Sequence, residues 1–228
     1  MNWDSFKWRN YDYAIGRFMS IDPLAEDYAY NSTYAFQENK MGLGRELEGL
    51  ELVYRKGTSP EFKEKFSKTV GFMNEHGTSG ELARLNEMSE TTLIDNTGNG
   101  SFYKPSTDEL FWDPTMAVET TNNKIMSSAT VLGHEISHAL SDKKDSTKHT
   151  ENSKKGSDAK YDTKEEKRVI EGSEQTIARK HGDIKPGEVT RKDHGGKTRY
   201  APDPTSNKNT KEKPKEIVLP EIVIKKSK

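Results

Sequence analysis

Residues 127–142 read SSATVLGHEISHALSD, and this stretch decides the fold prediction for the chain. It contains the pattern HExxH, with His134, Glu135 and His138 at the defining positions. On an α-helix, positions i and i+4 lie on one face, one turn apart, so the two histidines can bind one metal ion together. Glu135 lies beside them, within reach of a water at that metal. This arrangement is typical of a zinc hydrolase that uses the glutamate as general base.

The same stretch carries the signals of a buried helix. Ser127 or Ser128 can cap the N-terminus. An apolar surface broad enough for burial is supplied by Ala129, Val131, Leu132, Ile136, Ala139 and Leu140. A chance occurrence of so short a pattern is the alternative, and the helical context argues against it.

Composition narrows the class of protein and the chemistry of the site. The chain has 228 residues, of which 30% are hydrophobic and 32% charged, so we expect one or two small domains with some solvated loop or tail. A formal net charge of −1 gives no indication of a nucleic-acid or anionic-membrane partner. No apolar run approaches a membrane span, and we expect no signal peptide. Because the chain has 0 cysteines, every protein ligand to zinc must be His, Asp or Glu.

The first fifty residues carry a second signature, rich in aromatic residues and turn glycines. Its elements are Tyr11-Asp12, Gly16-Arg17-Phe18, Ile21-Asp22-Pro23-Leu24, Tyr34-Ala35-Phe36 and Asn39. This segment resembles the conserved core at the end of RHS-repeat (YD-repeat) proteins. In that family the core closes a β-shell made by upstream repeats, and a variable C-terminal toxin follows. The resemblance implies that residues 1–52 are the end of such a core; an ordinary small β module is the alternative.

The resemblance also carries expectations about delivery. A toxin of this family is secreted or delivered into a target cell, and the producing cell needs a cognate immunity protein or physical caging. Many members end the core with a self-cleavage motif, Asp-Pro-x-Gly-Leu. This chain has Glu46-Leu47-Glu48-Gly49-Leu50 at the corresponding place, so the likeness does not extend to the usual aspartyl autoproteolysis.

Helices and strands are predicted between this leader and the HExxH helix. Phe62, Phe66, Val70 and Met73 fall at i, i+4, i+8 and i+11 and predict a helix, and a shorter helix is expected at 81–88. Strands are expected at 91–95, 101–104 and 109–112, with turns between them. Strands followed by an HExxH helix are the order of zincin-type α+β metallopeptidases. We therefore predict a zincin-like α+β domain over residues 53–202, in which a sheet edge carries an extended substrate by analogy.

The third metal ligand must come from downstream of the helix. Ser141 and Lys144 stand where the longer signature HExxHxxGxxH would need Gly and His, which excludes that version. Residues 142–162 are polar and rich in lysine, and we expect a mobile loop there. His149 lies in this stretch and is a weaker candidate.

Glu166 and Glu174 are the main candidates for that ligand. Ser173 can cap a helix ended by Gly182, which would give Glu174 the plain role of favouring the helix dipole. The run Glu165-Glu166-Lys167-Arg168 resembles secreted effector and toxin zinc metallopeptidases, distantly like the clostridial neurotoxin light chains. In those proteins the second glutamate of such a run binds zinc. The resemblance implies Glu166 as the third ligand; a solvated charged face is the alternative.

Residues 188–200 contain groups that could stabilise a transition state. Attack on a peptide carbonyl creates an oxyanion, which a Tyr hydroxyl, an Arg or a protonated His stabilises. The available groups are Arg191, His194, Arg199 and Tyr200. The resembling families place an Arg and a Tyr downstream for this purpose, so we predict Tyr200, then Arg191, as catalytic residues. The alternative is that they are turn and strand residues at the end of the domain.

Together these patterns predict a zinc (Zn2+) metalloendopeptidase toxin of gluzincin type, which cleaves an intracellular protein of a target cell. Residues 203–228 are predicted to form a polar linker and a strand-like tail at 216–224. Two alternatives from other classes stay open. One is a non-catalytic module of the RHS shell with a degenerate zinc site, and the other is a zinc hydrolase of a non-peptide substrate.

Overall fold

Short strands and helices alternate along the residues that the computed structural model describes, namely 3–5, 10–12, 17–18, 53–88 and 91–208. In the leader, an antiparallel sheet is formed by β1 (Trp3–Ser5), β2 (Asn10–Asp12) and β3 (Arg17–Phe18), in that order. Strands were expected in this segment. The rest of the RHS-like motif and the predicted strand at 216–224 lie outside the described residues.

A four-stranded sheet forms the centre of the following region. Its strands are β4 (Val53–Tyr54), β5 (Thr92–Asp95), β6 (Phe102–Lys104) and β7 (Glu109–Trp112), in the order β4-β5-β7-β6. The pairs β4–β5 and β5–β7 are parallel, whereas β6 is antiparallel to β7. A 3-10 turn (Pro105–Thr107) makes this reversal. Of these four strands, β6 contributes Phe102 and Tyr103 to the candidate site described below.

Two helices share a hydrophobic core with this sheet, α1 (Pro60–Glu75) and α2 (Gly80–Met88). Ser59 caps α1 by accepting a hydrogen bond from the amide of Phe62, and Pro60 occupies the first turn, where a missing N–H costs nothing. Phe62 and Phe66 pack edge-on against Trp112 of β7. The apolar period of the sequence therefore marks the buried face of α1 correctly.

A second, antiparallel sheet lies further along the chain. It contains β8 (Met116–Glu119), β9 (Ile125–Met126) and β10 (Lys197–Tyr200), in the order β10-β8-β9. Because β10 pairs with β8, residues 197–200 lie close to the segment that leads into the HExxH helix.

The remaining helices are α3 (Ser128–Lys144), α4 (Ser146–Asn152), α5 (Lys164–Val169) and α6 (Gln175–Lys180), with a π-helical segment at Ile170–Glu174. The central helix α3 is buried along most of its length, and its Leu132, Ile136 and Ala139 join the core of α1, α2 and the four-stranded sheet. The fold is thus a mixed α+β arrangement, as the sequence predicted. No helix of the described ranges is both long enough and apolar enough to cross a membrane.

Three expectations from the sequence differ from the structure. The stretch 142–162 is not a loop throughout, because α3 continues to Lys144 and Asp145 then caps α4 by accepting a hydrogen bond from the amide of Lys148. Ser173 does not start a helix, since α5, the π segment and α6 follow one another without a break. Contacts of the domain also continue beyond residue 202, where the carbonyl of Pro204 accepts a hydrogen bond from Ala129.

Candidate metal centre

The N-terminus of α3 is fixed by a buried acid. Ser127 is the capping residue and accepts a hydrogen bond from the amide of Thr130. The carboxylate of Asp183 in turn accepts hydrogen bonds from the amide and hydroxyl of Ser127, at 2.9 Å each, and from the hydroxyl of Thr130 at 2.7 Å. The helix that carries the HExxH residues therefore has a defined position and rotation at its first turn.

Three ligand atoms converge between α3 and α5. Nε2 of His134 lies 3.0 Å from Nε2 of His138, and the Glu166 carboxylate lies 3.4 Å from the first and 3.3 Å from the second. Ligands about 2.0–2.1 Å from a tetrahedral zinc ion lie about 3.3–3.4 Å from one another. His134, His138 and Glu166 could therefore hold one metal ion.

The local chemistry also fits a bound cation. Glu174 and Glu165 face the two Nδ1 atoms, so with both ring protons held there the Nε2 lone pairs face each other across 3.0 Å, an arrangement that a cation between them stabilises. Oε2 of Glu166 is buried and has no hydrogen-bond partner among the described residues. Burial alone would lower the pKa of His134, but Glu166 and Glu174 outweigh it and raise that pKa to about 10. The site thus attracts positive charge, whether a proton or a metal ion.

The far side of the His134 ring is held by Glu174. Its Oε2 lies 2.7 Å from Nδ1 of His134. Arg191 binds both oxygens of this carboxylate, and the hydroxyl of Thr190 donates a hydrogen bond to it at 2.5 Å. Burial raises the pKa of Glu174, but His134 and Arg191 outweigh it and lower that pKa to about 2. An anionic Glu174 fixes the proton of His134 on Nδ1 and leaves Nε2 free for a metal.

The His138 ring has an equivalent partner in Glu165. Nδ1 of His138 lies 3.3 Å from Oε1 of Glu165, and Arg168 binds both oxygens of that carboxylate, at 2.6 and 3.0 Å. Burial raises the pKa of Glu165, but His138 and Arg168 outweigh it and lower that pKa to about 2. Each histidine is therefore oriented by a buried glutamate that an arginine clamps.

A second group of possible ligands lies behind the first. His138, His149 and Glu165 also have donor atoms close enough together to hold a metal ion. Here, however, Arg168 already occupies the Glu165 carboxylate, and the Nδ1 proton of His138 is needed to orient that ring toward Glu166. Nδ1 of the buried His149 lies 3.6 Å from Asp142. The group of His134, His138 and Glu166 is therefore the better candidate for a metal site.

The π segment explains why both Glu166 and Glu174 reach the centre. Eight residues of uninterrupted α-helix would rotate one glutamate about 80° from the other. A π-bulge accommodates one additional residue in a turn. Glu174 therefore takes the angular position of the seventh residue after Glu166, two turns on and on the same face. The expected role of Glu174 at a helix dipole is replaced by a role in orienting His134.

Glu135 is fixed by the edge strand of the larger sheet. Its Oε2 accepts a hydrogen bond of 3.0 Å from the backbone amide of Tyr103 in β6. The hydroxyl of the same tyrosine donates to Asp142, one helical turn beyond His138, at 2.9 Å. Tyr103 thus connects β6 to α3 at two points, and it places Glu135 between the edge strand and the two histidines.

The four candidate oxyanion groups separate into two pairs. Arg191 and His194 line the cavity at the metal centre, with Nε2 of His194 3.9 Å from Glu166. Arg199 forms an ion pair with Glu119 across β10 and β8. Tyr200 is not among the residues that line this cavity in the described part of the chain. Its neighbours include Lys65 and Asp113, and burial raises the pKa of its hydroxyl. The structure brings Arg191, but not Tyr200, to His134, His138 and Glu166.

Comparisons of the chain with protein-family models, with curated proteins and with solved structures find no match. A functional assignment therefore depends on the geometry of the site.

Several residues of this site were not anticipated from the sequence. Glu165 and Arg168 are parts of a charged run in the sequence, and only the fold gives them a role at His138. Tyr103 falls in a predicted strand, and no sequence pattern connects its backbone amide to Glu135. The available signal was the i, i+3 spacing of Glu165 and Arg168, which permits an ion pair on one helix face.

Proposed function

We propose that the chain is a zinc-dependent metalloendopeptidase with a zincin-like arrangement of sheet edge and active-site helix. The observation that carries the proposal is the convergence of His134, His138 and Glu166 at tetrahedral spacing, with Glu135 beside them. Two imidazoles and one carboxylate form the ligand set of many catalytic zinc sites, which keep a further position for water.

Zinc in such a site acts as a Lewis acid and brings the pKa of a bound water near neutrality. The residues of the chain supply the remaining functions. Glu135, held by the Tyr103 amide, takes a proton from the attacking water and passes it to the leaving amine. His194 at the mouth of the cavity can donate a hydrogen bond to the oxygen of the scissile carbonyl. Arg191 is committed to Glu174 and keeps His134 oriented.

The position of β6 supports a polypeptide as substrate. Among the described residues this strand is one edge of the four-stranded sheet, and its Tyr103 amide points away from β7 toward Glu135. In an antiparallel strand the carbonyl of the same residue points in the same direction. The Tyr103 amide is taken by Glu135, but the carbonyl could accept a hydrogen bond from an extended peptide that passes the metal centre.

The experiment is to incubate zinc-loaded protein and Glu135→Gln with a cell extract and to sequence the new protein N-termini. New termini with the wild type, and none above background with the variant, are expected. Equal sets of termini in both would defeat the mechanism. A protein that binds no stoichiometric zinc, as measured by elemental analysis, would favour the non-catalytic module.

We further propose, from the RHS-like leader alone, that this activity is delivered as a toxin. Expression of residues 53–228 in the cytoplasm of a test cell should then stop growth, while Glu135→Gln should not. Normal growth with both proteins would contradict the toxin proposal and would leave the peptidase proposal unchanged.

A further inference from the structure

One end of the cavity beside the metal centre is apolar. The cavity has a volume of about 470 Å³, and this end is lined by Met116, Val118, Met126 and Val131. Met116 and Val118 are two residues apart on β8 and share one face of the strand, whereas Ala117 between them is buried in a separate small cluster. The strand alternation therefore directs two apolar side chains of β8 into the cavity.

This apolar end has a fixed position relative to the catalytic residues. Val131 stands three residues before His134 and four before Glu135, so it lies on the same face of α3, one turn nearer the N-terminus. On the other side of the centre, beyond His138, the cavity is lined by His149, Ser153 and Thr163. The first flank is thus aliphatic, whereas the second carries hydroxyl and imidazole groups beside the ring of Tyr103.

The open part of the apolar wall is formed by β8. Met126 and Val131 are almost fully buried, with 1% and 4% of their surface exposed, whereas Met116 and Val118 are only half-buried. A Cβ atom added at Gly196 would lie 2.9 Å from Cγ1 of Val118, so the glycine leaves room for Val118 to keep its place. Met116 and Val118 are therefore the wall residues that keep exposed surface for a ligand to contact.

We propose that this end of the cavity is a subsite for an apolar side chain of the substrate, of the size of Leu, Ile, Met or Phe, next to the scissile peptide bond. The proposal rests on the proposed function and gives it a substrate class. Two of the four wall residues are methionines, whose flexible thioethers adapt to aliphatic and aromatic shapes. A subsite of this kind favours a residue that fills it over a smaller one by about 10–200-fold.

The first test compares cleavage patterns in a library of peptides from a digested proteome. The wild type should enrich large apolar residues at one fixed position beside the cleaved bond. Val118→Phe fills the subsite and should shift that position toward Gly, Ala and Ser, with large apolar residues reduced at least about tenfold. Met88→Phe is the matched control, because Met88 is 47% exposed and does not line the cavity. It should keep the wild-type pattern.

The second test does not depend on activity. Glu135→Gln protein with 13C-labelled methionine methyl groups is titrated with N-acetyl-leucinamide and, separately, with N-acetyl-serinamide. Leucinamide should shift the signals of Met116 and Met126 and leave that of Met88 in place, and serinamide should shift none of the three.

The outcomes separate the two proposals. Cleavage without an apolar preference, or an unchanged pattern in Val118→Phe, overturns the subsite and leaves the peptidase. Absence of any cleavage by the wild type defeats the peptidase, and the methyl signals then still decide whether the apolar end binds such a side chain. Equal shifts with both amides, or no shift with either, overturn the subsite.

Discussion

At the scale of single residues, the buried glutamates beside the two histidines constrain the site most strongly. Glu165 and Glu174 are 1% and 0% exposed, and each is clamped by an arginine. A buried ion pair contributes little net stability, but removal of one partner leaves an uncompensated charge. The two ion pairs therefore add little to the stability of the fold, and their effect is to fix the orientation of the two imidazoles.

The first prediction separates the metal ligand from the residue that orients a ligand. Glu174→Gln keeps the shape of the side chain but weakens its hold on His134, so zinc affinity should fall about 10–100-fold. Glu166→Gln removes a charged ligand and should lower affinity further. Competition with a chromophoric chelator measures both constants. A greater loss in Glu174→Gln than in Glu166→Gln would move the third ligand.

The second prediction concerns the oxyanion. Because His194 lines the cavity and Tyr200 does not, His194→Ala should lower kcat by about 100-fold, as expected for loss of an oxyanion donor. Tyr200→Phe should leave kcat close to the wild-type value. Zinc content should be equal in both variants, which separates a catalytic effect from loss of metal. A large loss of kcat in Tyr200→Phe and none in His194→Ala would instead assign the oxyanion to Tyr200, as the sequence predicted.

At the scale of elements, the approach of α6 to α3 depends on Gly133. A Cβ atom added there would lie 2.6 Å from Cδ1 of Ile177 in α6. This contact immediately precedes His134, and α6 directly follows the π segment that ends in Glu174. A glycine at 133 therefore lets the segment that carries Glu174 come close enough to reach the ring of His134.

The third prediction tests that close contact. Gly133→Ala should be less stable than Gly172→Ala by about 1–3 kcal/mol, the usual cost of overpacking. Gly172 is the control because it lies in the helical run that carries Ile177 and has no atom within 4 Å of an added Cβ. Alanine favours helical backbone over glycine at both positions, so a greater loss in Gly133→Ala reports the clash. Urea denaturation measures it, and equal stabilities would mean that Ile177 moves aside without cost.

Much of the element order could be predicted from periodicity and turn residues. The HExxH helix, α1 and the strands β5 to β7 follow from patterns that are local in sequence. The helix α4 could not be predicted, because its polar sequence is held by burial of His149 against Asp142 and Glu165, which come from other elements. The π segment could not be predicted for a similar reason. Its backbone shift accompanies the contacts of Glu174 with His134 and Arg191, which are distant in sequence.

At the scale of the whole molecule, buried His181, which follows α6, contacts both α3 and the turn between α1 and α2. Thr130 of α3 donates its hydroxyl proton to Asp183, so Nδ1 of His181 must donate to Thr130, at 2.8 Å. Nε2 of His181 lies 2.8 Å from the hydroxyl of Thr78, which also lies 3.1 Å from the carbonyl of Met73. Burial, with smaller contributions from His76 and Lys180, lowers the pKa of His181 to about 4. The folded protein therefore holds this residue neutral.

The fourth prediction follows from that lowered pKa. The unfolded chain binds a proton at His181 below about pH 6.5, while the folded chain resists protonation until about pH 4. The free energy of unfolding should then fall as pH drops through this window, by on the order of 3 kcal/mol. Chelator-treated protein is used, so that metal release does not contribute. In His181→Gln the fall should be smaller by this amount; equal falls in both proteins would contradict the prediction.

The π segment also affects how proteins with the same site can be found. Its extra residue corresponds to one inserted codon, and Gly172 within it has no neighbouring atom that an added side chain would meet. A chain that lost this codon would space its two glutamates by seven positions and keep them on one face of the helix. A search that demands a fixed spacing would therefore separate genes whose products share the same candidate metal centre.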